Sequence, residues 1–377
     1  MDTNNQPNTP TTYQKWAVIM AGGIGERFWP LSTPEHPKQL LQLGSNNILL
    51  KDAIERILPI VPQENIWLAT SGELKSIFTS LHLLSEGQII AEPYRKNTAG
   101  CLSYIIALLL AGYGDSAKDI VMAVLTADQL IEPIDTFVRT VSCIMDYVAE
   151  KKTLGIIGIP PTRPETGFGY IEVGDMLSND RDVPIYGVKK FHEKPNEQSA
   201  NEYLNAGNYF WNSGMFFWKV QTFLEEIKEA SFVHWDAIMQ MSQELQRNDM
   251  NKVNTIFQSL PNISIDYALM ERSKNIVMVK GNFHWDDLGS WTSLERVMHK
   301  DRHGNVIYGS AISLRTTNSI LYNDDSLPIT IVSAGVENIV IAVAHNVVLV
   351  MDKKEAPNLK EVVGEVERYS HQREEKQ

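Results

Sequence analysis

Residues 16–43 restrict the fold more tightly than any other part of this sequence. They read WAVIMAGGIGERFWPLSTPEHPKQLLQL. The run 16–20 is almost wholly apolar, the pattern of a short strand buried on both faces. It leads straight into Ala21, Gly22, Gly23, Ile24 and Gly25. Glycines let the backbone turn sharply and approach a ligand with no Cβ in the way. Successive amide N–H groups in such a turn form a concavity for anions. Arg27 and Lys38 add two cations. Together these describe a phosphate cradle; the competing reading is an ordinary strand-to-loop turn, because glycine turns are common.

Two familiar phosphate loops are excluded. A Walker A loop needs Gly-Lys-Ser/Thr after four residues from its first glycine, and none is present. A dinucleotide fingerprint needs a glycine where Phe28 stands. Pro30, Pro34 and Pro37 also oppose the long helix that a dinucleotide turn opens.

Further along, strand patterns at 66–70, 88–91, 119–125 and 155–160 alternate with helical patterns at 50–58, 73–84, 97–112 and 133–150. This alternation predicts an α/β fold with a mostly parallel sheet covered on both faces. Ligands of open α/β sheets lie beyond the carboxyl ends of the strands. The glycine loop, Glu92 and Asp128 all follow predicted strands, so one crevice is expected to hold them.

The polar residues around that crevice each carry two readings. Asn97 or Thr98 caps a helix; alternatively, Glu92 and Asn97 read a base edge, since the N1–H and N2–H₂ donors of guanine suit a carboxylate. Asp128 is a turn residue, or a ligand for Mg²⁺, which binds one or two carboxylates together with substrate phosphates. Lys194, within Glu193-Lys194-Pro195, is a surface cation or a mobile charge for a phosphate. Asn212 and Ser213 interrupt an aromatic strand pattern over 209–218 and need partners, either a sugar hydroxyl or a backbone group. Asp266 reads as an end-of-helix charge. Asp286 and Asp287 are adjacent on an extended segment and point to opposite sides, so only one serves an ion; otherwise they cap a helix near Gly289.

The string GGxGxRxWPLS and the PKQ that follows it resemble the signature of the sugar-1-phosphate nucleotidyltransferases, and the WPLS and PKQ parts are similar to the mannose-1-phosphate guanylyltransferase branch. Further segments with the same likeness are EPYRKNTA at 92–99, TAD at 126–128, PTRPETGFGYIE at 161–172, EKP at 193–195, WNSGMF at 211–216 and WDDLGSW at 285–291. The resemblance implies a Rossmann-like, mostly parallel mixed sheet of the nucleotidyltransferase (GT-A-like) kind. It implies transfer of GMP from GTP to α-D-mannose 1-phosphate, giving GDP-mannose and pyrophosphate, with Mg²⁺ as cofactor. It assigns Ala21, Gly22, Gly23, Gly25, Glu92, Asn97 and Thr98 to the nucleotide and gives Arg27 and Lys38 catalytic roles. Gly169, Glu172, Glu193, Lys194 and Asn212 fall to the sugar phosphate, and Asp128 and Asp287 to the metal. Gln129 stands where the family has histidine, and Asp286 where it has serine. The rival readings are another sugar 1-phosphate such as a heptose 1-phosphate, adenine in place of guanine, or a non-catalytic nucleotide-sugar sensor. A sensor would be expected to lose Arg27, Lys38 or an aspartate.

At 377 residues the chain suits one large domain and a smaller one. The large part is expected over 15–300. Short β-branched runs from 304 to 351 and a helical pattern at 361–368 predict a small, β-helix-like C-terminal β domain with a terminal helix over 301–377. Residues 1–14 read as a disordered tail without a signal-peptide core. A net charge of −12 disfavours nucleic acid and anionic membranes as partners. Cys101 and Cys143 lie in apolar helical patterns and fit a reducing compartment. The apolar run 102–111 is too short to cross a bilayer. A cytoplasmic enzyme is therefore expected, and the resemblance adds association as a homodimer.

Overall fold

The structure is a computed structural model that describes residues 13–324 and 328–374. Residues 1–12 of the expected N-terminal tail lie outside the described residues. The first half alternates as β1 (Lys15–Ala21), α1 (Leu49–Ile57), β2 (Ile66–Ser71), α2 (Gly72–Ser80), β3 (Ile89–Glu92), α3 (Asn97–Tyr113), β4 (Val121–Thr126), β5 (Leu130–Glu132), α4 (Ile134–Lys151) and β6 (Leu154–Ile159). Then come β7 (Tyr170–Asp180), β8 (Val183–His192), α5 (Glu197–Ala206), β9 (Tyr209–Lys219), α6 (Val220–Ala230), α7 (Phe232–Gln246), α8 (Met250–Ser259), β10 (Ile276–Lys280), β11 (His284–Asp286) and α9 (Leu294–Val297). The C-terminal part holds β12 (Val306–Tyr308), β13 (Ala311–Leu314), β14 (Ile320–Asn323), β15 (Ile331–Ala334), β16 (Ile339–Ala344), β17 (Val347–Asp352) and α10 (Leu359–Glu374).

Nine strands form one sheet in the order β3-β2-β1-β4-β9-β6-β10-β8-β7. β1 pairs in parallel with β2 and β4, and β6 with β10, while β9 runs antiparallel to both β4 and β6. β8 and β9 run against the other seven strands, so the sheet is mixed, with most of its strands pointing one way. Side chains of a strand alternate between faces, and β1 shows why its residues are nearly all apolar. Trp16 and Val18 enter a core with α3, α6, α7 and α8, whereas Ala17, Ile19 and Ala21 enter a second core with α1, α2 and α4. The apolar helix α3 is long enough to attract suspicion as a membrane span, yet its side chains from Ala99 to Ala107 are buried against the sheet.

One predicted helix is overlong. The pattern at 73–84 ends as a helix at Ser80, because His82 takes φ +53 and Leu84 turns back into the core. The predicted helix at 361–368 is instead the longer α10.

Beyond α9, β12, β14 and β16 stack in parallel, with β17 antiparallel on β16, and β13 pairs in parallel with β15. This stack meets the first part through a third core that holds Phe28, Leu288, Trp291, Val306, Tyr322, Val340 and Leu359. Phe28 follows the glycine loop and Leu288 follows Asp287, so this core lies directly behind the candidate site. Trp291 is fully buried, packs on Phe28 and Tyr322, and donates its indole N–H to the Trp29 carbonyl at 3.0 Å. Trp291→Ala should therefore cost about 3–5 kcal/mol, the usual range for deleting a buried large aromatic. Equilibrium unfolding in urea checks this; a loss below about 1 kcal/mol would show that this core is not holding the two parts together.

Candidate active site

The glycine turn opens a cleft of about 470 Å³ at the carboxyl ends of β1, β2, β3 and β4. Its walls include Gly22, Gly23, Gly25, Arg27, Lys38, Gln39, Thr70, Glu92, Asn97, Thr98, Thr126 and Asp128. The turn is fixed from behind through its carbonyls. Gly23 accepts from Gln39 Nε2 at 2.9 Å, Ile24 from the Lys38 N–H at 2.9 Å, and Gly25 from Ser32 Oγ at 2.6 Å. Among the described residues, the N–H groups of Gly23, Ile24 and Gly25 have no acceptor. That is the arrangement of an anion-binding nest. Gly25 has φ +82, and a Cβ there would fall 2.4 Å from Lys38 Cβ, so glycine is required twice over. As the prolines require, only the short turns Glu26–Phe28 and Lys38–Leu40 are helical in this segment.

Lys38 is the central cation. Its side chain is 7% exposed, and Nζ donates to Asp128 Oδ2 at 2.9 Å and to the Asp287 carbonyl at 2.8 Å. Arg27 is exposed at the mouth and has no ion-pair or hydrogen-bond partner among the described residues. Asp287 is raised above the ordinary carboxylate range by burial, with Lys38 as the largest opposing influence. Its side chain needs Gly289, where a Cβ would stand 2.5 Å from Oδ2. Among the described residues no three His, Cys, Asp or Glu side chains cluster as a metal site. Mg²⁺ needs only one or two carboxylates beside substrate phosphates. The Asp128 carboxylate and the side chain of Asp287, whose backbone carbonyl accepts from the same Lys38 ammonium, are hard oxygen donors of that kind, so the residues fit such an ion.

Three buried polar atoms in the cleft lack any partner: Gln39 Oε1, Glu92 Oε2 and Thr126 Oγ1. Orphaned buried groups are rare and mark a place where something else binds. Asn97 takes φ +59 and its own Oδ1 accepts from the Thr98 N–H at 2.8 Å. Thr98 Oγ1 accepts from the Ile265 N–H at 2.8 Å, tying the start of α3 to the segment that carries Asp266.

A second group lies on the same side of the sheet. Asn212 donates to Asp266 Oδ1 at 2.8 Å, and its N–H donates to the Gly169 carbonyl at 2.8 Å. A Cβ on Gly169 would meet Glu193 Oε2 at 2.5 Å, and that oxygen is buried without a partner. Burial raises both Glu193 and Asp266. Lys194, which pairs with Glu193 at 2.8 Å, opposes the shift in each. Two carboxyls, an amide and a cation, packed closely because Gly169 carries no Cβ, suit a polyhydroxylated ligand carrying a phosphate.

Two sequence expectations need correction. Glu172 does not join this group. It shares the sheet face of Tyr170, opposite Tyr209, whereas Asn212 shares the opposite face with Phe210 and Ile171. The period of two along β7 puts a whole sheet between them. Ala21 does not line the cleft either: it is fully buried, and its carbonyl accepts from Thr70 Oγ1 at 2.8 Å. Conversely, Asp266 is a buried carboxylate held by the Asn212 amide and not merely an end-of-helix charge. Gln39, inside the PKQ string, has no sequence signal of its own, yet its side-chain amide pins the turn. Gln129 is buried, donates to the Ser213 carbonyl at 2.7 Å and accepts from Trp285 Nε1 at 2.9 Å, which is a scaffold role.

A family model for nucleotidyl transferases matches residues 16–304. The chain belongs to the nucleotidyl transferase family. Among curated relatives, a mannose-1-phosphate guanylyltransferase of Escherichia coli is 33% identical over 354 residues, 92% of this chain and 74% of that protein. Another, from Salmonella montevideo, is 34% identical over 93% of this chain and 73% of its own length. A solved structure from Thermus thermophilus, described as a mannose-1-phosphate geranyltransferase, superposes with a TM-score of 0.82 at 31% identity, covering 94% of this chain and 99% of that one. Within the family, the chain falls in the mannose-1-phosphate guanylyltransferase group.

Burial pushes the Glu92 carboxyl up to about 7, despite relief from the Lys96 N–H and the Arg95 charge. The native state therefore holds this proton more tightly than the unfolded chain. Its contribution to stability is full below the ordinary carboxylate range and is lost as pH rises towards about 7. Glu92→Gln should flatten that part of the pH dependence of the urea midpoint and raise the midpoint at about pH 8. An unchanged profile would mean that Glu92 is not a buried acid.

Proposed function

We propose that the chain transfers GMP from GTP to α-D-mannose 1-phosphate, releasing pyrophosphate and forming GDP-mannose. The observation that carries this reading is the convergence in one cleft of free loop amides, two cations and the orphaned Glu92 oxygen. Membership of the family supplies the reaction class. A phosphate oxygen of the sugar phosphate attacks the α-phosphorus, the bond to the β-phosphate oxygen breaks, and pyrophosphate leaves with the electron pair. The attacking oxygen is already anionic, so no general base is needed. What remains for the protein is alignment and stabilisation of spread negative charge.

In this reading the Gly23–Gly25 amides and Arg27 hold the β- and γ-phosphates. Lys38 lies against the α-phosphate, and Arg27 stabilises the departing pyrophosphate. Ionised Glu92 accepts from guanine N1–H and N2–H₂, with Asn97 and Thr98 closing the base pocket. Gly169 lets the pyranose approach the backbone, Glu193 and Asn212 accept and donate to its hydroxyls, and Lys194 neutralises its phosphate. Asp128 and Asp287 would hold Mg²⁺, which when bound supplies positive charge to the nucleotide and sugar phosphates. The setting proposed for this activity is the cytoplasm.

Arg27→Ala and Asp287→Ala should each lower kcat roughly 10²–10³-fold, the range for removing one group that stabilises developing charge. Arg27 is exposed, so its variant should fold as the parent does. Pyrophosphate release across the nucleoside triphosphates, with mannose and heptose 1-phosphates, is the assay. Near-normal turnover in both variants would sink the mechanism, preferred turnover with a heptose 1-phosphate would move the sugar assignment, and no turnover with any pair would favour a sensor. Because Glu92 titrates near 7, KM for GTP should rise as pH falls below about 7, and Glu92→Gln should remove that slope. A parent KM that is flat with pH would take Glu92 away from the base.

A further inference from the structure

Asp286 directly precedes the carboxylate read above as a metal ligand, and it is held quite differently. It is 3% exposed at the end of β11 and accepts from three donors. Leu288 N–H donates at 2.9 Å, and the Arg296 guanidinium donates through both Nη2, at 2.9 Å, and Nε. Arg296 sits in α9, ten residues on, and reaches back across the turn. The same Nη2 is 3.8 Å from Asp287 Oδ1, beyond hydrogen-bond distance.

Two adjacent carboxylates thus share one guanidinium very unequally. A forked arginine–carboxylate pair is strong and directional, and it occupies both oxygens of the acid it takes. By engaging the fork, Asp286 leaves both oxygens of Asp287 uncommitted while keeping a positive charge beside them. The Leu288 N–H bond to Asp286 spans Asp287 and holds a turn in which Leu288 takes φ +46 with a fully buried side chain. A non-glycine residue stays in that region only where its surroundings over-determine it. Lys38 on the Asp287 carbonyl and the missing Cβ at Gly289 complete the restraint.

We infer that Asp286 is a positioning residue that draws the Arg296 fork away from Asp287 and so keeps the Asp287 carboxylate open to a divalent cation. This rests on Asp287 being a metal ligand. Asparagine at 286 still accepts the Leu288 N–H but offers the guanidinium one neutral oxygen in place of a charged pair, so the turn persists and the fork transfers to Asp287.

The test is Mn²⁺ binding to the full chain with GTP, followed by electron paramagnetic resonance of free Mn²⁺. Asp286→Asn should weaken Mn²⁺ binding about 10-fold or more, the usual scale for groups that orient metal ligands. Adding Arg296→Met to Asp286→Asn should restore affinity to within about threefold of the parent, because no fork then remains to capture Asp287. A purely structural role for Asp286 would give no such rescue. Parent-like binding in Asp286→Asn, or no recovery in the double variant, overturns the inference. Should Asp286→Asn fail to fold, the double variant, which carries neither the buried carboxylate nor its guanidinium partner, must still bind Mn²⁺ like the parent or the inference fails. Asp287→Asn separates the two levels: if it binds Mn²⁺ as the parent does, the metal reading itself is wrong and the inference falls with it.

Discussion

The Lys38 ammonium holds the candidate site together. A cation that is 7% exposed must be paired to be tolerated. Here it is paired with the Asp128 carboxylate after β4 and the Asp287 carbonyl after β11, so one side chain ties three distant stretches of sequence together. The glycine turn is shaped around it, since any Cβ at Gly25 would meet the Lys38 side chain. Asp128 is only half-buried, but removing its carboxylate leaves the buried Lys38 ammonium without a counter-charge, which is costly. The arrangement is therefore both structural and electrostatic. It sets the floor of the cleft and keeps two acids close to the place where phosphates would lie.

The C-terminal strands act on the same floor from behind. Phe28 and Leu288 share a core with Trp291, Val306, Tyr322 and Val340. Leu359 at the start of α10 is buried in that core, and Lys360 pairs with Glu26 at 3.1 Å beside Arg27. Glu295 in α9 pairs with Lys353 at 2.7 Å, next to the Arg296 that grips Asp286. Exposed ion pairs contribute little by themselves. Apolar burial supplies the adhesion, and the ion pairs set the register. A cleft whose loops are braced this way meets its ligands largely pre-organised, which is how positioning lowers a barrier when the chemistry itself needs no acid or base.

Much of this is legible in the sequence because it depends on local pattern. The apolar run before Gly22, the prolines after Phe28 and the alternation of strands with helices each follow from short-range sterics and periodicity, and the parallel part of the α/β sheet follows from them; the antiparallel β8 and β9 do not. Asn212 stands out as a polar residue in an otherwise apolar strand, whereas Gly169 and Glu193 are marked only by the family resemblance of their segments. What is not legible depends on facing and on contacts between distant segments. Glu172 lies in the right strand but on the wrong face, and only the register of β7 against β9 reveals that. Asp266 reads as a helix-end charge because its partner, Asn212, is 54 residues away. Arg296 carries no signal at all: its role exists only once α9 folds back on β11. Helix ends such as Ser80 are hidden for a similar reason, since a buried Leu84 overrides a helical pattern.

The central claim is spatial: base, phosphates and sugar occupy one face of the sheet, in order, from Glu92 through the glycine turn and Lys38 to Glu193. A crystal structure of the chain with GDP-mannose tests this most directly. The account predicts guanine against Glu92, the diphosphate beside Lys38, and mannose between Gly169, Glu193 and Asn212, with Glu172 untouched on the far face. A sugar held by Glu172, or a base seated away from Glu92, would contradict it.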